Sequence, residues 1–176
     1  ICVESRIFSM AKTWKDSDIS LDPIKDQTIG IIGYGIQGDA QANNLKDSGL
    51  KVIVGLKEGG SSWNKAKNDG HEVMSVAEAC KKADIIYILI PDMVQAKVYK
   101  DEIEPNLSEG KALAFSHAAA IYWGWIKAPD NVDIIMVAPK GPGSKVRETY
   151  LDGFGTPSIV AVEQDKTGKA WDRTLG

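Results

Sequence analysis

Cysteine is scarce in this 176-residue chain: only Cys2 and Cys80, far apart in sequence. They supply neither a metal-ligand spacing nor a disulfide framework, which fits a reducing, cytoplasmic setting. Long apolar runs are missing as well. None approaches the roughly 18 residues that a membrane span requires, and the opening ICVESRIFSMAKTW lacks the charged start and apolar core of a signal peptide. Charge of one sign is also lacking, with 21 Lys and Arg against 24 Asp and Glu. No basic run or aromatic-and-lysine stripe occurs, so nucleic acid and membrane are excluded as partners. What is present is 43% hydrophobic residues, enough for one domain with a sizeable core but not for a nucleotide domain plus a large catalytic domain.

The pattern along the chain alternates short apolar runs with helical stretches. Residues 1–27 read as an irregular lead-in that covers an edge, with a short strand around Cys2–Phe8. Strands are expected at 28–34, 51–56, 84–90, 112–117, 132–138 and 157–165. Helices are expected from 36 to a stop at Gly49, at 61–70, at 76–83, from 92 with Asp92 as its cap, and at the very end. His71, after the Gly70 stop, is expected to be exposed. Strands that are apolar for five or six residues without alternation are buried on both faces. The fold class is therefore α/β, a Rossmann-type doubly wound, mostly parallel sheet with helices on both faces, with residues 28–176 as the dinucleotide-binding domain.

The stretch IGYGIQG holds Gly33, Gly35 and Gly38 directly after a strand and at the start of a helix. Such a triplet means little alone and much in this position. Gly33 permits a tight turn, Gly35 lets backbone approach a pyrophosphate, and Gly38 lets the helix pack on the sheet. Tyr34, Ile36 and Gln37 complete the turn, and the helix N-terminus faces the negative charge. The end of the second strand then discriminates between nucleotides. An acid there would favour NAD, but Gly55-Leu56 is followed instead by Lys57, Glu58, Gly59, Gly60, Ser61 and Ser62. One positive charge and two hydroxyls suit a 2′-phosphate and hence NADP. Glu58 either turns to a ribose hydroxyl or faces water, and Ser61 and Ser62 also suit a helix cap.

Ligands of a doubly wound sheet bind beyond the carboxyl ends of its strands, and three such ends are polar: Pro91-Asp92-Met93-Val94-Gln95, Ser116-His117 and Pro139-Lys140-Gly141-Pro142-Gly143. Gln95 either contacts cofactor or caps its own loop. His117 either touches nicotinamide or substrate, or is satisfied by backbone. Lys140 sits in a frame of two prolines and two glycines that a merely solvated lysine would not need. Tyr122, Trp123 and Trp125 follow three alanines. Their face is either buried against the domain or open to self-association or another partner.

With these residues placed, the chain resembles the N-terminal cofactor domain of ketol-acid reductoisomerase, also called acetohydroxyacid isomeroreductase. The resemblance runs through IGYGIQG, NLKDSG, VGLKEGGSSW, IPDMVQ, ALAFSHAAAI, VDIIMVAPKGPG, VRETY and GFGTPSIVAVEQD. It implies NADPH as cofactor and a role in branched-chain amino acid biosynthesis, in which an acetohydroxy acid is isomerised and then reduced by hydride. It also implies a phosphate loop at Lys57–Ser62, a cofactor-side loop with Pro91, Asp92 and Gln95, the glycine-framed turn through Gly143, and His117 and Lys140 in the active site. In the family a helical domain supplies the carboxylates for two magnesium ions. No acidic cluster in these 176 residues replaces them, so magnesium is not expected to bind here and the chain alone is expected not to isomerise.

Four departures from the family pattern stand out. Ala118-Ala119-Ala120 replaces Gly-Phe-Asn after His117, and Gly60 replaces a serine of the phosphate loop. Glu163 stands where histidine is usual, and Ile36 where serine is usual. Two rival readings follow: a non-catalytic binding or assembly protein derived from the family, and a metal-independent reductase using His117 and Lys140.

Overall fold

The computed structural model describes residues 12–176. The strand expected around Cys2–Phe8, like Cys2 itself, lies outside the described residues. After a single 3-10 turn at Asp16–Asp18, seven strands and seven α-helices alternate: β1 Thr28–Ile32, α1 Ile36–Asp47, β2 Lys51–Gly55, α2 Ser61–Asn68, β3 Glu72–Met74, α3 Val76–Lys82, β4 Ile85–Ile88, α4 Asp92–Val98, β5 Ala112–Phe115, α5 Ala119–Tyr122, β6 Asp133–Pro139, α6 Gly143–Leu151, β7 Ser158–Gln164 and α7 Ala170–Leu175. Helix α4 runs on into a π turn at Tyr99–Ile103 and a 3-10 turn at Glu104–Asn106.

The sheet order is β3-β2-β1-β4-β5-β6-β7. The first six strands are parallel, and β7 returns antiparallel along β6 with a register shift at Ile134/Ile135. The doubly wound class holds, and the strand order reverses between β1 and β4, where such sheets open a crevice.

Each central strand feeds two cores because successive side chains alternate between faces. Ile29, Ile31, Ile85, Tyr87, Ala112, Ala114 and Ile135 pack on the side of α1, with Ala42, Leu50 and Ala170. Ile32, Ile86, Ile88, Leu113, Phe115 and Ile134 pack on the side of α3, with Ala79, Cys80, Tyr99 and Ile103. Helix α3 lies very close to the sheet. A Cβ at Gly30 would fall 2.8 Å from Ala83 Cβ, and one at Gly55 would fall 2.9 Å from Ala79 Cβ. The helix begins with a reciprocal cap, in which Ser75 Oγ accepts from the Glu78 amide and Glu78 Oε2 accepts from the Ser75 amide.

Several expected boundaries move. Strands β1, β2, β4 and β5 end one to two residues early at their carboxyl ends, because pairing stops where the chain leaves for the ligand loops, whereas β6 starts and ends one residue late, at Asp133 and Pro139. The short strand β3 and helix α6 carry no periodicity long enough to announce them. Asp92 is not the cap of α4: Pro91 holds that position and Asp92 lies in the first turn. His71 is not exposed. It is 7% accessible, and its Nε2 lies 3.1 Å from Asn43 Oδ1, because the turn after α2 folds it under α1. Among the described residues, no helix is long and apolar enough to cross a membrane.

Candidate functional site

At the end of β1, Gly33 has φ +99° and a Cβ there would fall 2.7 Å from Ile90 and 2.9 Å from the Leu89 carbonyl, so only glycine fits. A Cβ at Gly38 would fall 2.3 Å from the Gly33 carbonyl oxygen, which lets α1 start against the turn. At Gly35 the opposite holds: among the described residues a Cβ would meet nothing within 4 Å. Gly35 is also the N-cap of α1, and no side chain caps that end. Open space therefore stands over a helix N-terminus whose first amides lack side-chain acceptors, an arrangement that takes an anion.

The turn is clamped to the loop after β6. Gln37 Nε2 donates to the Gly141 carbonyl at 3.0 Å, and a Cβ at Gly143 would fall 2.4 Å from the Ile36 carbonyl oxygen. The Ile36 side chain itself is 72% exposed. Lys140, at the tip of the loop, is exposed, and its amide donates to the Pro157 carbonyl. Beneath the clamp runs a chain of polar groups. Gln41 Nε2 donates to Gln37 Oε1 at 3.0 Å and to Ser116 Oγ at 3.3 Å. Ser116 Oγ lies 2.7 Å from the Tyr87 hydroxyl, and both reach the Val137 carbonyl. Burial pushes the Tyr87 hydroxyl well above its usual range, so it stays protonated. Sequence reasoning missed Gln41 and Tyr87. The spacing of Gln41 four residues after Gln37 was the available signal.

His117 and Asp92 meet at the ends of β5 and β4, with Nδ1 3.9 Å from Asp92 Oδ2. His117 Nδ1 also accepts from the Ala119 amide at 3.1 Å, so the neutral ring carries its proton on Nε2. Gln95 caps its own loop: it is 4% exposed, and its amide nitrogen donates to the Ile90 carbonyl at 2.9 Å and to Asp92 Oδ1 at 3.1 Å. Its Oε1 is buried and has no hydrogen-bond partner among the described residues. Among the described residues no hydrogen bond or ion pair links Lys140 or Lys57 to His117.

In the loop after β2, Lys57 and Glu58 are exposed and the Gly60 amide donates to the Lys57 carbonyl at 3.0 Å. Gly60 is the N-cap of α2 and no side chain caps it, so Ser61 and Ser62 are helical residues with hydroxyls not used as caps. A Cβ at Gly60 would sit 3.0 Å from the Lys57 carbonyl oxygen, a contact that a serine there would have to relieve. Tyr34 is 3% exposed, with its hydroxyl donating to Asp69 Oδ2 at 2.8 Å. Burial pushes that hydroxyl far up, while its hydrogen bond holds the Asp69 carboxyl below the usual range.

The aromatic group after β5 is exposed rather than buried: Tyr122 is 76%, Trp123 65% and Trp125 50% accessible. Tyr122 and Trp123 meet edge on at 4.8 Å, and among the described residues Trp125 joins no aromatic pair. Nor do the described residues bring three His, Cys, Asp or Glu side chains together as a metal ion requires.

Over residues 23–176 the chain matches the family described as acetohydroxy acid isomeroreductase, NADPH-binding domain. It is 83% identical over 167 residues to the ketol-acid reductoisomerase (NADP(+)) of Nitrosopumilus maritimus, covering 95% of this chain and 50% of that protein. The enzyme of the same name from Methanocaldococcus jannaschii is 59% identical over 167 residues, 95% of this chain and 51% of that one. Among solved structures, an NADH-preferring ketol-acid reductoisomerase from an uncultured archean superposes with a TM-score of 0.88 at 48% identity, over 91% of this chain and 50% of that one. The chain thus spans about half the length of the relatives it matches. The glycine turn, the clamped loop after β6 and the extent of these matches lead to one conclusion: the chain belongs to the acetohydroxy acid isomeroreductase family, as its NADPH-binding domain.

Proposed function

We propose that this chain binds NADPH as the cofactor-binding part of a ketol-acid reductoisomerase. The observation that carries the reading is the open space over Gly35 at the uncapped N-terminus of α1. Gly33, Gly35 and Gly38, with the amides of Tyr34, Ile36 and Gln37, hold the pyrophosphate there. Lys57, Ser61 and Ser62 take the 2′-phosphate, and Glu58 points to water. Pro91, Asp92 and Gln95 wall the nicotinamide side, and Gly143 keeps the loop after β6 close against the turn.

NADPH when bound supplies a hydride. His117 faces the reacting end, oriented by the Ala119 amide and held near Asp92, and presents Nε2–H as a donor to a substrate oxygen. Lys140 brings a positive charge to the same edge of the sheet, where developing negative charge on the substrate is stabilised. Isomerisation of an acetohydroxy acid belongs with magnesium carboxylates in the half of the relatives' length that this chain does not span. The described residues do not fit that metal pair.

The preference for NADPH rests on the loop residues rather than on the fold, since one relative of the same fold is described as NADH-preferring. Calorimetric titration of the chain with each dinucleotide tests it. Tight NADPH binding, on the order of tenfold stronger than NADH, is expected, and no binding to either would overturn the reading. Steady NADPH oxidation of a simple carbonyl compound without magnesium would instead favour the small-reductase alternative.

A reducing cytoplasm suits the buried thiol of Cys80, which burial pushes up to about 12. Self-association through Tyr122, Trp123 and Trp125 is favoured only by their exposure. Concentration-dependent sedimentation that Trp123→Ser abolishes would support it, and a monomer at all concentrations would end it.

A further inference from the structure

Tyr34 lies between Gly33 and Gly35, yet its side chain ties the glycine turn to helix α2. Its hydroxyl donates to Asp69 Oδ2 at 2.8 Å, and Asp69 is the C-cap of α2. Lys65, one helical turn beyond Ser61 and Ser62, donates to the same carboxylate at 3.2 Å and to Asp39 Oδ2 at 2.6 Å. Its ammonium stands 5.0 Å from the centre of the Tyr34 ring. Asp39 belongs to the first turn of α1. Asn43, one turn further along α1, donates to the Tyr34 hydroxyl at 3.0 Å and to Asp39 Oδ1 at 2.8 Å.

These polar bonds matter because α2 buries little apolar surface, and the other side-chain bonds at this end run from Lys46 to the Asp69 and Gly70 carbonyls rather than to the glycine turn. The helix is eight residues long, and Ala66 is its only buried residue. Apolar packing therefore fixes the helix weakly, and the Lys65–Asp69–Tyr34 contacts tie its C-terminal half to the glycine turn, so that the short helix carries Ser61 and Ser62 with it. We propose that this bridge is a positioning device that sets the preference for a 2′-phosphorylated dinucleotide over its unphosphorylated counterpart.

The inference rests on the dinucleotide reading above. The pyrophosphate is gripped by the turn and the 2′-phosphate by the residues at the start of α2, so one ligand spans two separately built elements. A displacement of α2 loosens the grip on the 2′-phosphate while the turn keeps its shape. NADH carries no phosphate there and does not sense the displacement. Contacts that must be held to a fraction of an ångström depend on such supporting bonds.

Asp69→Ala removes the acceptor shared by Tyr34 and Lys65, at the end of α2 opposite Ser61 and Ser62. Calorimetric titration of the 176-residue chain is expected to show the NADPH-to-NADH preference falling about fivefold, the value of one ordinary hydrogen bond. Tyr34→Phe removes a single hydroxyl and is expected to lower the same ratio, and it decides the matter if Asp69→Ala does not fold. Lys65→Arg keeps the charge and both carboxylate partners and is expected to retain the preference. Equal losses for both dinucleotides, or an unchanged ratio, overturn the positioning role while leaving the dinucleotide reading intact. An unsubstituted chain that binds neither dinucleotide sinks that reading, and the bridge falls with it.

Discussion

Gln37 and Gly141, 104 residues apart in sequence, are joined by a 3.0 Å hydrogen bond from the Gln37 amide to the Gly141 carbonyl. Gln37 lies in the first turn of α1, the helix proposed to face the pyrophosphate, and Gly141 follows Lys140 in the loop after β6. One side chain thus sets the distance between the cofactor turn and the lysine.

Gln37→Ala breaks this clamp and also removes the acceptor of Gln41. A lost hydrogen bond of this kind costs ~1 kcal/mol, so NADPH affinity should fall about fivefold, read by calorimetry. The far-ultraviolet circular dichroism should not change, because both bonds are made by side chains and no backbone hydrogen bond of a helix or strand is lost. An unaltered affinity would mean that the loop holds its place without Gln37.

Gly35 and Gly38 should separate binding from folding. Gly38→Ala drives a methyl to 2.3 Å from the Gly33 carbonyl oxygen, a backbone atom that cannot move aside alone. Overpacking of this kind costs ~1–3 kcal/mol, and denaturant melts should show it with or without cofactor. Gly35→Ala meets no atom within 4 Å, so stability should stay within ~1 kcal/mol, the cost of the poorer N-cap. NADPH binding should nonetheless collapse, because the methyl fills the space the pyrophosphate needs. If Gly35→Ala binds as tightly as the parent, the anion site lies elsewhere.

Much of the framework of the candidate site was legible because its signals are local. The glycine triplet, the apolar runs before it and after it, and the Pro-framed Lys140 turn each declare themselves within a dozen residues. What stayed hidden depends on contacts distant in sequence. His71 looks like an exposed residue after a helix stop, and only the approach of Asn43 from α1 shows why it is buried. Tyr87 reads as one more apolar strand residue until Ser116 and Val137 arrive at its hydroxyl. Strand β3 has three residues, too few for any periodicity. The choice between a buried and an exposed Tyr122 could not be made from a helix of four residues, which has no complete face.

Asp133 anchors the C-terminal segment and should be costly to lose. It is fully buried, accepts from the amides of Lys166 and Thr167, and pairs with Arg173 at 2.8 Å. Asp133→Ala leaves an uncompensated guanidinium in the interior, a loss of ~3–5 kcal/mol. Urea unfolding is expected to show a midpoint shift of that size, and the double substitution with Arg173→Met should recover part of it. A small effect in the single variant would mean that Arg173 escapes to water.

His71 should make the stability of the chain depend on mildly acidic pH. Burial and then the nearby Lys46 hold its pKa below the usual 6.5, against the opposing pull of Asp69, Asp39 and Asp47. The folded state therefore binds fewer protons here than the unfolded chain does. Its contribution is fully present above pH 6.5 and is lost as pH falls through the lowered folded value. The loss approaches ~1.4 kcal/mol per pH unit between those limits. Asp69 and Glu78, whose pKa values are themselves lowered, begin to cost stability only in stronger acid. Melting temperatures between pH 7.5 and pH 5 should therefore decline in the parent and stay flat in His71→Gln, which remains neutral and can still meet Asn43. The same decline in both proteins would place the titrating group elsewhere.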